Sequence, residues 1–348
     1  LLEMRLSIYG RRPGEWDELA HWFLQNKMQS SVNAWMIQIP RVYPVWRKLG
    51  LVKNFAELLH NIFYPMWVVT LDPASNPVLH ALLCSVTGFD SVDNEQVPDT
   101  PLEHVTPEQW DRLENPPYAY WMYYMWANIY TLNAARHARG LNTFAFRPHC
   151  GESGSEQHLA SCFLTAHSIN HGINLRKSPA LQYLYYVAQI GLSVSPLSNN
   201  ALFLSMEQNP FPVFFRRGLN VTISTDDPLQ FHLTQEPLIE EYCLTMRTWG
   251  LSMTDMCEIA RTSVLQSGFS KERKGEILGD HYYLASSAGN DVRKTLIPDH
   301  RLDFRYEMMM EEVEYLNQHL REHFPEAVRI QNTMCDAYRR LQHQAMNV

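Results

Sequence analysis

Short runs dominated by Ile, Val, Leu, Met and aromatic residues recur along the chain at wide, fairly regular intervals. They are "MRLSIY" (4–9), "AWMIQI" (34–39), "CSVTGFD" (84–90), "TFAFRP" (143–148), "SINHGI" (168–173), "LSVSP" (192–196) and "NVTIST" (220–225). Their length and β-branched content read as strands. Between them, apolar residues return every three or four positions, as on one face of a helix. These stretches carry helix punctuation. "SPALQYLYYVAQIG" has Ser178 to cap, Pro179 at the first helical position and Gly191 past the end. "YAYWMYYMWANIYTLNAARHARG" closes on Arg136, Arg139 and Gly140, and "TQEPLIEEYCLTMRTWG" opens with Thr234, Pro237 and acids and stops at Gly250. Strands alternating with helices predict parallel strands joined by crossover helices. Seven strands are read and eight would close a barrel. The rival, an open doubly wound sheet, lacks a Gly-rich phosphate loop after any strand. The chain begins at Leu1 rather than Met, directly in a strand-type run, so the eighth strand is expected ahead of it. Residues 1–270 are expected to form the barrel, and 271–348, charged and helical in pattern, an extension packed on it.

Composition narrows the class. Of 348 residues, 45% are hydrophobic and 19% charged, enough apolar material for a large core. A net charge of −8, with 15 His uncounted, argues against a general nucleic-acid or membrane-surface binder. The six cysteines (Cys84, Cys150, Cys162, Cys243, Cys257, Cys335) form no C-x-x-C pair. In a chain of this size they read as free thiols of a reducing, cytoplasmic compartment. No apolar run reaches membrane-spanning length.

The candidate chemistry shares one address. His149, Cys150, Gly151 and Glu152 follow one strand, His171 and Gly172 end another, and Asp226 and Asp227 follow a third. In a parallel barrel such carboxyl ends converge on one face. His, Glu and Asp together suit a metal-assisted hydrolytic site. Each residue also has a plainer reading. Asp-Asp-Pro is turn chemistry, Glu152 would suit the first turn of a helix in "SGSEQHLASCFLT", and His171-Gly172 would suit a turn.

The motifs "RPHCGESG", "INHGINLRKSPALQYLYYVAQI", "SPLSNNALFL" and "STDDPLQFH" resemble the adenosine/AMP deaminase family. "LSNN", "ENPPYAY" and "STDDPLQFH" resemble its AMP-acting branch, and the likeness runs in order over roughly residues 3 to 310. The resemblance implies a TIM-type (β/α)8 barrel holding one Zn²⁺. It implies His149 and Asp226 as zinc ligands, Glu152 as the acid that protonates purine N1, and His171 as the proton acceptor beside the attacking water. Asp227 would meet the N7 side of the purine, with the substrate segment continuing through Pro228, Leu229 and Gln230. The expected reaction converts AMP to IMP and ammonia. The family also implies a homotetramer and nucleotide effectors.

The sequence departs from the family pattern in one place: the family's first strand carries H-x-H, supplying two further zinc ligands, and no H-x-H occurs here. The nearest pairs are His167 with His171, and His319 with His323 in a charged stretch that reads as a solvated face. These residues are therefore expected to be the C-terminal piece of a longer deaminase, binding zinc weakly as they stand. A catalytically silent barrel serving as a regulatory or assembly subunit, an adenosine deaminase, and a metal-dependent hydrolase of another barrel family are the alternatives.

Overall fold

A computed structural model provides the structure of the chain and describes residues 1–101 and 104–326, so the end of the expected extension, 327–348, lies outside the described residues. Among the described residues eight strands appear in order: β1 (Leu2–Ser7), β2 (Asn33–Pro40), β3 (Val86–Val92), β4 (Ala145–Phe146), β5 (His149–Cys150), β6 (Ser168–His171), β7 (Gly191–Val194) and β8 (Val221–Ile223). All pairings are parallel, and they run β1-β2-β3-β4 and β5-β6-β7-β8. β4 lies in the run read as one strand (143–148), and β5 extends it by two residues beyond the expected end. Pro148, which has no N–H to donate, interrupts it. The flanking backbone bonds continue across the break, from Arg147 N to Phe89 O (2.8 Å) and from Asn170 N to Pro148 O (2.9 Å). The seven expected staves are thus all present in one parallel arc. Among the described residues, β1 pairs only with β2 and β8 only with β7. The fold is an α/β partial barrel.

Helices clothe the arc. Helix Tyr118–His137 is apolar over most of its circumference and buries Trp121, Met122 and Met125 against helix Phe55–Leu71 and the strands. Burying one such aromatic ring stabilises the fold by roughly 3 kcal/mol.

Two residues of β1 on the same face of the strand tie the halves of the arc together. Glu3 accepts from Arg147 (2.6 and 2.7 Å), from Thr87 Oγ1 (2.6 Å) and from Gly268 N (3.0 Å). Burial opposes its charge, but Arg147 overcomes that and holds the carboxyl down at about 2. Arg5 donates to Asp90 (2.6 Å) on β3 and to Asn170 (3.0 Å) on β6.

After β8, helix Met253–Gln266 lies against the strand, with Gln266 Nε2 donating to Asn220 O at 2.9 Å. The long helix Asp299–His323 is fastened by Arg301 and Arg305 to Glu258 (2.6 and 2.9 Å) and accepts from Tyr183 at Glu312 (2.8 Å). His319 and His323 are exposed on it, as expected.

Some boundaries differ from the sequence reading. Helix Pro179–Val187 is capped by Ser178 as expected, but Gly191 does not end it. Gln189 takes the left-handed position (φ 51°), and Gly191 opens β7, where a Cβ would meet the Gln266 side chain at 2.6 Å. The third strand starts at Val86 because Cys84 closes helix Pro77–Cys84. The helix after "HCGE" begins only at Gln157, so Glu152 is not an acid of its first turn. The five described cysteines are unpaired. Among the described residues no helix is long and apolar enough to cross a membrane.

Candidate active site

The carboxyl ends of β5, β6, β7 and β8 bring the candidate residues together. His149 begins β5, Glu152 sits in the turn after it, and His171 is the last residue of β6. Asp226 lies just past β8. Donor atoms of His149, His171 and Asp226 all fall within 4.8 Å of one another, and the two imidazole centroids are 5.1 Å apart. Glu152 Oε1 is 3.4 Å from His171 Nδ1. Two of these residues sit in the left-handed backbone region without being glycine: His171 at φ 70° and Asp226 at φ 54°. Such strain, of order 1–3 kcal/mol per residue, persists only where surroundings enforce it, and it gathers at functional sites. His171 is the last residue of β6, and Gly172, also left-handed (φ 69°), leads from it into the short 3-10 helix Ile173–Lys177.

Residues the sequence reading left unassigned hold the cluster in shape. Asp90, fully buried in β3, pairs its Oδ1 with His149 Nδ1 (2.9 Å) and accepts from His149 N (3.1 Å). Burial opposes both charges, yet each supports the other: the Asp90 carboxyl is pulled down by His149 and Arg5, and the His149 imidazole is raised by Asp90. With Nδ1 turned to a carboxylate, His149 presents Nε2 outward, the arrangement expected of a metal-binding imidazole. Ser198 Oγ donates to Asp226 Oδ2 (2.7 Å), and Asn199 Nδ2 donates to Glu152 Oε1 (2.7 Å) and approaches His171 Nδ1 (3.3 Å). Ser198 and Asn199 lie in helix Pro196–Leu202, directly after β7, and both are fully buried. The signals were present. An acid in the apolar run "VTGFD" must find a partner when buried, and "LSNN" was read only for its likeness.

The electrostatics divide the roles. Burial pushes the Glu152 carboxyl up to about 7, with Asp226 adding to the rise and His149 opposing it. Burial and the His149 charge push His171 down to about 3, so its ring is neutral near neutral pH. Asp227 is raised by partial burial and by Asp226 beside it. Asp227 and the one-turn helix Pro228–Phe231 form an exposed rim, with Leu229 100% exposed. The structure therefore gathers His149, Glu152, His171 and Asp226, and leaves Pro228, Leu229 and Gln230 at the edge.

The donor set fits a metal ion. Two imidazoles and a carboxylate are one of the ligand sets that catalytic zinc sites use. His171 Nε2 is buried with no hydrogen-bond partner, and a buried polar atom of that kind calls for one. The structure places His171 beside the two donors expected from the sequence, where its free Nε2 can meet a water held by the metal.

Comparison with known proteins bears on this site. A family model described as AMP deaminase matches residues 1–322. The chain is 54% identical over 323 residues to a probable AMP deaminase of Oryza sativa subsp. japonica, covering 92% of this chain and 39% of that protein. It is 51% identical to human AMP deaminase 3 (90% and 42% covered) and 49% identical to the AMP deaminase of Saccharomyces cerevisiae (90% and 39% covered). It thus spans roughly two fifths of the length of these relatives. Among solved structures, Arabidopsis ADAL complexed with GMP is similar in fold, with a TM-score of 0.51 at 14% identity over 79% of this chain and 70% of that one.

Proposed function

This chain belongs to the AMP deaminase family, and from that premise we propose that its site takes part in the hydrolytic deamination of AMP to IMP and ammonia. The convergence of Glu152, His171, His149 and Asp226 at the strand ends carries the reading. Adenine C6 is a poor electrophile until N1 is protonated. Glu152, raised to about 7, still holds a proton near neutral pH and is the group to donate it to N1. Asn199 fixes Oε1 of that carboxyl and so defines which way the acid faces. His171 is neutral and accepts the proton of the attacking water. Asp226 is held by Ser198, while Asp227 on the rim, its carboxyl raised by partial burial and by Asp226 beside it, meets the N7 side of the purine, with Pro228, Leu229 and Gln230 beside it. His149 and Asp226 would hold a zinc ion, with His171 in the same cluster; the ion would supply Lewis acidity toward the water.

We read residues 1–270 as the barrel and 271 onward as a helical extension, supported by the clasp of Arg301 and Arg305 on Glu258. A cytoplasmic homotetramer under nucleotide control completes the proposal; the unpaired cysteines support the compartment. Ammonia release and IMP formation from AMP, compared with adenosine on a chain completed by an H-x-H strand, test the activity. Equal turnover of adenosine, or AMP binding without ammonia, refutes it.

A further inference from the structure

We propose that Glu95, backed by His158 and Asp99, is a positioning residue that sets the turn presenting His149 and Glu152. The proposal rests on the reading of Glu152 as the acid, and it adds a residue two loops away that touches neither the purine nor the metal donors.

Glu95 leaves the carboxyl end of β3 and is 5% exposed. Its carboxylate grips the turn by the backbone: Oε2 accepts from Gly151 N (2.8 Å) and Oε1 from Glu152 N (3.1 Å). Oε2 also meets His158 Nδ1 at 3.0 Å, and His158 Nε2 faces Asp99 Oδ2 at 3.3 Å. Burial disfavours the charge on His158, but the bonds to Asp99 and Glu95 outweigh it and hold the imidazole up to about 9. A cation therefore stands between two carboxylates behind the turn. The Tyr118 ring stacks on His158 (centroids 4.0 Å, 10°), and its hydroxyl donates to His149 O at 2.7 Å. From the other side, Asn174 N donates to Gly151 O (2.7 Å) and Asn174 Nδ2 to Gly154 O (3.1 Å).

Gly151 (φ 69°) and Gly154 (φ 65°) make the sharp path possible, and a Cβ on Gly154 would overlap the Glu95 carbonyl oxygen. These five bonds hold the backbone from His149 to Gly154, and Glu95 supplies two of them. A carboxylate can accept at both oxygens; an amide of the same size cannot, because its NH₂ would face an N–H donor. A misplacement of about 1 Å in a reacting group lowers rate roughly 10²-fold, so the grip matters to Glu152 even though Glu95 is remote from the ring.

The test compares Glu95→Gln and Asp99→Asn with the unaltered protein by two readouts. Amide hydrogen exchange in the segment 149–154 is expected to quicken in Glu95→Gln by about tenfold or more, and less in Asp99→Asn. In AMP deamination, kcat is expected to fall about 10- to 100-fold in Glu95→Gln and a few-fold in Asp99→Asn, with KM for AMP within about twofold. Exchange at the unaltered rate in both variants overturns the proposal, as does quickened exchange with unchanged kcat. A lowered melting temperature with unchanged kcat per folded molecule would make Glu95 merely structural and also overturns it. If the unaltered protein releases no ammonia from AMP, the proposed activity fails, and the exchange comparison alone decides the grip of Glu95.

Discussion

Replacing His158 by Gln should change how stability depends on pH. In the folded protein the imidazole lies between Glu95 and Asp99 and is raised from 6.5 to about 9. A group whose folded pKa is raised contributes stability that is complete below its unfolded value and is lost as pH climbs through the folded one. The window is therefore pH 6.5 to about 9. At 1.36 kcal/mol per pH unit the ceiling is about 3 kcal/mol. Residual solvent screening reduces this to about 2 kcal/mol. Gln cannot take the charge, so His158→Gln should lack this slope. The assay is urea unfolding of both proteins at pH 6 and pH 9.5, followed by tryptophan fluorescence. The unaltered protein should lose about 2 kcal/mol more than the variant between the two conditions. Glu152, at about 7, and Glu241, raised by burial to about 8, also release protons across this range, but they do so in both proteins and cancel in the comparison. Parallel loss in the two proteins would refute the charged His158.

In the chain completed by an H-x-H strand, Glu152→Gln should retain metal and lose about 10²- to 10⁴-fold in AMP deamination, read by metal content and ammonia release. In the unaltered enzyme kcat/KM should decline as pH rises above about 7, because Glu152 then loses the proton it must donate; a profile flat to pH 9 would contradict that role. Asp226→Asn should weaken metal retention, whereas Asp227→Asn should keep the metal and raise KM for AMP; equal metal loss in both would end the division of labour. Gly154→Ala should destabilise by more than about 2 kcal/mol, since the position combines φ 65° with contact against the Glu95 backbone; a melting temperature unchanged within error would say the turn can shift.

What could be read in advance followed from local rules. The seven strand-type runs were visible because each is short, apolar and bounded by turn residues, and the helix beginning at Tyr118 because it is long, mostly apolar and closed by Arg136, Arg139 and Gly140. His149, Glu152, His171 and Asp226 were visible because strand ends in a parallel arc converge. Their supports were not. Asp90 reaches His149 across 59 positions, and Glu95 reaches Gly151 across 56. Such pairings depend on register, which no local pattern encodes. Gly191 was misplaced for a similar reason: its partner is Gln266, far along the chain, and the need for a bare Cα there comes from packing rather than from a helix end.

The two acceptor and donor arms of β1 reach across the interior, Glu3 to Arg147 and Arg5 to Asp90 and Asn170, and Asp90 and Asn170 each lie beside the His149 ring. A screen for inactive variants would therefore recover lesions in this first strand alongside true chemical knockouts. Rescue by a compensating charge, such as a reciprocal exchange at Glu3 and Arg147, would tell the two kinds of lesion apart, because a broken strut can be rebuilt from either end while a lost proton donor cannot.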